Sequence, residues 1–373
     1  GMSASYMMMV DTVIAAGKLP IIECDSRTVY FNSRSFSPSL LAEWGKTYTL
    51  KDSIESLKRD FSNMMTKGAG LWWYDMNGGW FDDPEIYSLI SVMYKEWEYA
   101  LNQPSKSLSR IAYVVEDDLV TTMTYSFDGS YDYLYQVLYS QKESLAHIGA
   151  SFDMLFTSGL MAGTARDYDV YLIVAANLDK EEIAAINKYV KKKGKTVIWV
   201  GFPGIYGEDG EMTAANVSAV TGIDLAFAKG AAYGVTVKEG DALTAGLDGL
   251  VYGKPLSTQV DPMLCVNDWD AVPLGNIYGT DLVGLAYKKI ALAGGGTYTS
   301  IYSSAGNIPA KFLRNVLKGY GAELLENDGD VVYGNESYIS VATPYGGIKT
   351  IKLGRTTDVY DVFSGKLLAK DVS

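Results

Sequence analysis

The sequence predicts an α/β protein in three successive parts. These are parallel βα units of the kind that build a (β/α)₈ barrel over residues 1–105, a doubly wound α/β domain over 106–325, and a small antiparallel β-sandwich over 326–373. Three observations carry this expectation. Two short apolar runs, Leu19-Pro-Ile-Ile-Glu23-Cys24 and Gly70-Leu-Trp-Trp-Tyr74, run into carboxylates and alternate with helical patterns, the order of parallel βα units. Strand-like and helix-like segments alternate again from Ile111 to Val200, as in an open doubly wound sheet. From Asp330 onward the pattern becomes short alternating strands, with Gly346-Gly347 and Ser364-Gly365 as turns.

Residues 3–16 read as a helix with small and apolar residues on one face, ended by Gly17, and the strand Leu19–Cys24 follows. A loop rich in Ser, Arg and aromatics runs from Asp25 to about Tyr48; its length and its place after a strand end point to function. Lys51–Lys67 holds Ile54, Leu57, Phe61 and Met64 at helical spacing, and the strand Gly70–Tyr74 comes next. Asp83-Pro84-Glu85 supplies an N-cap, a proline at the first position and an acidic first turn for a helix reaching about Leu101. The polar stretch Pro104–Ser109 reads as a linker.

Beyond it, strands are expected at Ile111–Val115, Phe152–Phe156, Val170–Val174 and Thr196–Val200, with helices at about 129–146 and 179–193. Residues 232–290, rich in Gly, Val and Tyr, read as β-hairpin insertions. Gly294-Gly-Gly296 reads as a turn before a strand, and Lys311–Tyr320 as a last helix. The terminal strands are expected at Val331–Tyr333, Tyr338–Thr343, Ile348–Leu353 and Val359–Phe363.

With 48% hydrophobic residues in 373, the chain can bury a sizeable core. Its net charge of −12, from 44 acidic against 32 basic residues, argues against nucleic acid and anionic membranes as partners, because both demand phosphate neutralisation. The one basic run, Lys191–Lys195, sits at a helix end, where it complements the macrodipole. Two cysteines, Cys24 and Cys265, exclude a disulfide framework or a cysteine-based zinc site. The single histidine, His147, excludes a multi-histidine metal centre and reads as a core or capping residue at a helix exit. No metal and no cofactor are expected. No apolar stretch approaches the ~20 residues of a membrane span, and the N-terminus lacks the basic region of a signal peptide.

The middle domain lacks a glycine-rich phosphate loop after Ile111–Val115; Glu116-Asp117-Asp118 stands there and would repel a pyrophosphate. Cys265 is not on a strand-to-helix elbow, so this domain is expected to be catalytically empty. Chemistry concentrates instead near the first two strands. Retaining glycoside hydrolysis needs two carboxyl groups about 5 to 5.5 Å apart and aromatics against the sugar. Glu23, at a strand's C-terminal end, is placed for one of them or for a structural pair with Arg27. Asp75 occupies the equivalent end of the next strand, suited to a sugar hydroxyl or to a salt bridge. Trp72, Trp73 and Trp80 crowd the same region, and strand alternation sends Trp72 and Trp73 to opposite faces, so only one can face a pocket.

Several stretches together resemble the family 42 glycoside hydrolases, the β-galactosidase group. They are Pro20-Ile-Ile-Glu23-Cys-Asp-Ser-Arg27-Thr, Gly68-Ala-Gly-Leu-Trp-Trp-Tyr-Asp75-Met, Gly78-Gly-Trp80-Phe-Asp-Asp-Pro84, Gly194-Lys-Thr-Val-Ile-Trp199 and Val359-Tyr-Asp-Val-Phe-Ser-Gly365. The resemblance implies a (β/α)₈ barrel, then a flavodoxin- or amidotransferase-like domain used for trimerisation, then a small β domain. Glu23 would match the nucleophile at the end of the seventh strand, with Trp72 to Asp75 on the eighth; Arg27, Trp72, Trp73, Asp75 and Trp80 would bind substrate. The family's acid/base glutamate sits on the fourth strand, which has no counterpart here, so the barrel portion reads as a partial remnant that is inactive alone. A carbohydrate partner and a homo-oligomer, possibly a trimer, follow from the resemblance. The alternative is a non-catalytic oligomerisation or carbohydrate-binding module, and a third reading is a small-molecule-binding protein of amidotransferase-like fold.

Overall fold

The computed structural model describes residues 6, 8–31, 45–75, 78–123, 133–207, 210–258, 260–322, 324–325, 329–343 and 345–373. The chain divides into two compact units, one of residues 1–108, 149–151 and 323–373, the other of 109–148 and 152–322.

The first unit opens with helix α1 (Val10–Ala15), strand β1 (Ile21–Cys24), helix α2 (Leu50–Lys67), strand β2 (Gly70–Trp73) and helix α3 (Pro84–Ala100). β1 and β2 are parallel, with Ile21 level with Gly70, Glu23 with Trp72 and Cys24 with Trp73. Local chemistry sets the helix ends. The Thr49 hydroxyl accepts from the Asp52 N–H, Gly68 turns left-handed at φ 65 after Lys67, and Asp83 caps α3 ahead of Pro84. Leu57, Phe61 and Met65 of α2 meet Trp80, Phe81, Ile86 and Met93 to form the core. The helix expected over 3–16 begins only at Val10; Met9 at its N-cap offers no side-chain acceptor. Residues 1–5 and 7 of that expectation, and 32–44 of the loop expected after β1, lie outside the described residues.

The second unit contains strands β3 (Ile111–Val115), β4 (Phe152–Phe156), β5 (Val170–Val174) and β6 (Thr196–Val200), then β7 (Leu225–Ala228), β8 (Val235–Val237), β9 (Val251–Tyr252), β10 (Met263–Val266), β11 (Val272–Ile277), β12 (Val283–Ala291) and β13 (Thr297–Ser303). β4, β3, β5, β6 and β13 lie side by side in parallel. Numbered along the chain these five run 2-1-3-4-5, the flavodoxin type of doubly wound sheet. The hairpins expected over 232–290 are inserted between β6 and β13 and extend the same sheet antiparallel through β12, β11, β8 and β9, with β10 and β7 branching from β12. β3, β5 and β6 are buried at every residue, as strands covered on both faces must be. Of the helix expected over 129–146, residues from Tyr133 are described, and Tyr135–Ser140 is wound with π spacing before Gln141–Ala146 returns to α.

Residues 323–373 belong to the first unit. They form two antiparallel ribbons, β14 (Val331–Gly334) with β15 (Ile339–Ala342) and β16 (Thr357–Tyr360) with β17 (Leu367–Val372). The strand expected over Ile348–Leu353 is not part of either ribbon, and β16 pairs instead with β17, a strand not expected from the sequence. The first ribbon grips α2: Asn335 Nδ2 donates to the Thr66 carbonyl at 2.9 Å and Ser340 Oγ to Asn63 Oδ1 at 3.1 Å. Phe363 stands 6.2 Å from the Phe61 ring. The terminal β segment thus shares the core of the N-terminal βα units.

Candidate active site on the open strand pair

The β1–β2 sheet has one covered face and one open face. Ile22 and Cys24 are buried, whereas Ile21 is 61% exposed and Glu23 is exposed, the alternation of a strand packed on one side only. Register places Trp72 level with Glu23, and Trp72 is 45% exposed; Trp73, level with Cys24, packs against the helix-side core and stands 6.1 Å from Phe81. Glu23 and Trp72 therefore share the open face, at the carboxyl ends of two parallel strands. The Glu23 carboxylate makes no hydrogen bond or ion pair among the described residues.

The segments that follow β1 and β2 are tied to one another. The buried Arg27 guanidinium holds Asp25 through Nη2 to Oδ2 at 3.3 Å and Nε to Oδ1 at 3.4 Å, and lies 4.7 Å from the Phe31 ring and 5.8 Å from that of Trp80. Trp80, only 2% exposed, packs edge-on to Phe31 at 4.7 Å and to Tyr74 at 5.9 Å, and its carbonyl accepts from the Thr28 hydroxyl. Asp75 Oδ1 accepts the Trp80 N–H at 3.3 Å, closing the segment between them; Met76 and Asn77 lie outside the described residues. Behind β1, buried Asp60 accepts from the Ser26 hydroxyl and pairs with Arg59 at 2.8 Å. Burial, with the Asp60 charge nearby, pushes the Cys24 thiol up and keeps it protonated.

Of the six candidate residues, Glu23 and Trp72 present themselves to solvent, Asp75 and Arg27 are engaged by neighbours, and Trp73 and Trp80 face the core. Asp25, Ser26, Thr28, Phe31 and Asp60 were given no site role by sequence. The Asp25-x-Arg27 spacing is the signal that could have found the first of them, since alternate residues near a strand end lie on one side.

In the second unit, the ligand crevice of a doubly wound sheet would lie at the carboxyl ends of β3 and β5, where the strand order reverses. Glu116 occupies that place. Its buried Oε2 accepts the backbone N–H groups of Ala176 and Asn177, the latter at 2.8 Å, while Oε1 is buried with no hydrogen-bond partner. Desolvation raises its pKa above the usual carboxylate value. Beside it Asp117 accepts from the Ser158 N–H at 2.9 Å and from the Thr157 hydroxyl at 2.8 Å. Two N–H groups that could meet an anionic ligand are thus filled by the chain's own carboxylate. Among the described residues no group of three or more His, Cys, Asp or Glu is disposed to hold a metal ion, and no helix is long and apolar enough to cross a membrane. Cys24 and Cys265 are buried free thiols, and His147 sits at the C-cap of Gln141–Ala146.

No protein-family model matches the sequence and no curated protein matches it. Solved structures do. A β-galactosidase from Rahnella sp. superposes with a TM-score of 0.56 at 15% identity, over 88% of this chain and 50% of that one. For the β-galactosidase from Bacillus circulans sp. alkalophilus the values are 0.53, 16%, 82% and 48%. A family 42 β-galactosidase from G. stearothermophilus, as a catalytic mutant, gives 0.54 at 12% identity, over 85% of this chain and 48% of that one. The chain spans about half the length of these structures. Its fold, a large mixed sheet with small antiparallel ribbons and a parallel strand pair, is similar to that of about half of these β-galactosidase chains.

Proposed function

We propose that this chain is the C-terminal portion of a retaining glycoside hydrolase of the β-galactosidase type, with Glu23 in the nucleophile's place. The observation that carries the reading is the shared open face of Glu23 and Trp72 at the carboxyl ends of β1 and β2, where barrel enzymes place their chemistry. In this reading the Glu23 carboxylate attacks the anomeric carbon and forms a glycosyl ester, and the exposed Trp72 ring covers a sugar face. Arg27 holds Asp25 at the rim, Asp75 and Trp80 set the segment after β2, and Trp73 anchors that strand to the helices. The leaving oxygen needs a proton, and the strand that carries the family's acid/base residue has no counterpart among the described residues. Loss of general acid catalysis alone costs about 10² to 10⁴ in rate, so the chain by itself is inactive toward ordinary glycosides. The domain layout of partial barrel, amidotransferase-like domain and terminal β domain belongs to this proposal, as does assembly into a homo-oligomer, possibly a trimer.

The test is hydrolysis of chromogenic β- and α-glycosides by the purified chain and by Glu23→Gln. Equal, background rates support the reading; turnover abolished by the substitution means that a proton donor is supplied after all. The second reading, a non-catalytic oligomerisation or carbohydrate-binding module, is favoured by the absence, among the described residues, of a hydrogen-bonded or ionic partner for Glu23 beside an exposed Trp72. Sugar binding that is lost in Trp72→Ala and kept in Glu23→Gln would select it.

A further inference from the structure

Carboxyl groups and one hydroxyl meet where β3, β4 and β5 end in the second unit. These strands are parallel neighbours with β3 in the middle, so their carboxyl ends lie side by side. β3 runs into Glu116-Asp117-Asp118, and β4 into the helix Thr157–Met161, whose first residue is buried. After β5 comes the helix Lys180–Ala185, capped by Asp179. Its start is a reciprocal capping box: Asp179 Oδ1 accepts the Glu182 N–H at 2.7 Å, and Glu182 Oε2 accepts the Asp179 N–H at 3.0 Å. That uses one Glu182 oxygen. The other, Oε1 on this buried side chain, meets the Thr157 hydroxyl.

The same hydroxyl stands 2.8 Å from Asp117 Oδ2. Thr157 has one hydrogen to give, and two carboxyl oxygens lie against it. One of the two contacts is therefore made by a carboxyl that carries its own proton. Asp117 is exposed and both its oxygens have donors already: Oδ2 also accepts the Ser158 N–H at 2.9 Å, and Oδ1 the Ser158 hydroxyl at 2.7 Å. The proton thus belongs on Glu182 Oε1, which donates to Thr157, and Thr157 donates to Asp117. The surroundings agree. Glu182 is faced by Asp179 in its own capping turn and by Glu116 from the end of β3, and Glu116 by Asp117, Asp118 and Tyr133. Lys180 and Glu181, beside it in sequence, are exposed, and neither Glu182 nor Asp117 pairs with a lysine or arginine among the described residues. Burial, reinforced by the Asp179 and Glu116 charges, raises the Glu182 carboxyl above its ordinary value.

We propose that the proton on Glu182 is a pH-sensitive latch, tying the start of the Lys180–Ala185 helix through Thr157 to Asp117 at the end of β3. While the proton is held, the relay Glu182 to Thr157 to Asp117 is fully hydrogen-bonded. Once it is lost, the Glu182 contact sets oxygen against oxygen, because Thr157 has only the hydrogen that Asp117 takes. Glu182 then turns out to water and withdraws its half of the capping box. The tie spans the ends of β3, β4 and β5, where a doubly wound sheet opens its crevice, so the latch governs how firmly that mouth is held. With the folded value raised above the unfolded one of about 4.3, the tie is at full strength below the unfolded value and is lost as pH rises through the folded one. The latch does not involve Glu23, and it stands or falls apart from the glycosidase reading.

The experiment is a carboxyl-resolved NMR titration of the full chain across the acid and neutral range, with amide hydrogen exchange at each pH. The expected result is a Glu182 signal that titrates above an exposed glutamate, and an Asp117 signal that registers the same step. Protection of the Asp179 N–H falls over that step, by up to about tenfold for each pH unit between the open and closed values. Thr157→Val removes the hydroxyl and breaks the correspondence between the two signals. Glu182→Gln sets a permanent N–H donor against Thr157 and keeps Asp179 protection level across the range. Glu182 titrating as an exposed glutamate, an Asp117 signal that ignores the Glu182 step, a correspondence that survives Thr157→Val, or protection that falls with pH equally in Glu182→Gln would each overturn the proposal. The first two readings need no variant, so a substitution that fails to fold leaves the test intact.

Discussion

The strand pair β1–β2 and the parallel core β3, β5 and β6 are made of similar apolar runs, yet they are buried differently. In the second unit every residue of those three strands is covered, whereas in the first unit Ile21, Glu23 and Trp72 stand open on one face. The second unit is complete as a folded sheet. The first offers a half-covered one, and its open side carries Glu23 and Trp72, the residues proposed to meet a sugar. The contrast teaches that apolar composition alone does not mark a finished core; which residues alternate out of it is the functional information.

Substitutions sharpen this contrast in order of expected size. Trp199, fully buried on β6 with its indole N–H donating to Ser300 Oγ at 2.9 Å, should cost the second unit about 3 to 5 kcal/mol as Trp199→Ala. Denaturant unfolding followed by amide exchange reads this. In the first unit, Asn335→Ala removes the donor to the Thr66 carbonyl and the acceptor of the Ser337 and Tyr338 N–H groups, and should cost about 1 to 3 kcal/mol. A loss confined to the terminal ribbon, with α2 unaffected in amide exchange, would break the claim that this ribbon locks the N-terminal helices.

A smaller effect is pH dependence. Desolvation raises the Glu116 carboxyl above its unfolded value of about 4.3, so the folded state holds this proton longer. The second unit's stability is then greatest below that value and falls as pH rises through the folded pKa. Glu182 shifts in the same direction for the same leading reason. Glu116→Gln keeps an oxygen for the Ala176 and Asn177 N–H groups and should flatten part of the slope; urea midpoints across a pH series that are parallel in both proteins would contradict this. Smallest of all, Trp72→Ala and Glu23→Gln should change stability by less than about 0.5 kcal/mol, because the open face has little packing to lose.

Much of this was legible in the sequence. Asp83-Pro84 announced the start of α3 because capping is a local matter, and the runs Ile111–Val115 and Thr196–Val200 announced buried strands because no charged residue interrupts them. Alternation separated Trp72 from Trp73 correctly. Less could be read at the C-terminus. Leu367–Val372 is mostly exposed and lacks an apolar face, so its pairing with Thr357–Tyr360 left no period in the sequence. The joining of residues 323–373 to the first unit depends on Asn335 and Ser340 meeting α2 across more than 260 positions, which no local pattern encodes. Likewise the burial of Trp80 follows from the Arg27 guanidinium and the Phe31 ring packing against it, partners that spacing does not reveal.

The central claim is that the open face holds a nucleophile's carboxylate without its proton donor. Its most direct test is the rate of chromogenic β-galactoside hydrolysis by this chain beside Glu23→Gln. The account predicts rates for both that match the uncatalysed background; hydrolysis by the unsubstituted chain that disappears with Glu23 would contradict it.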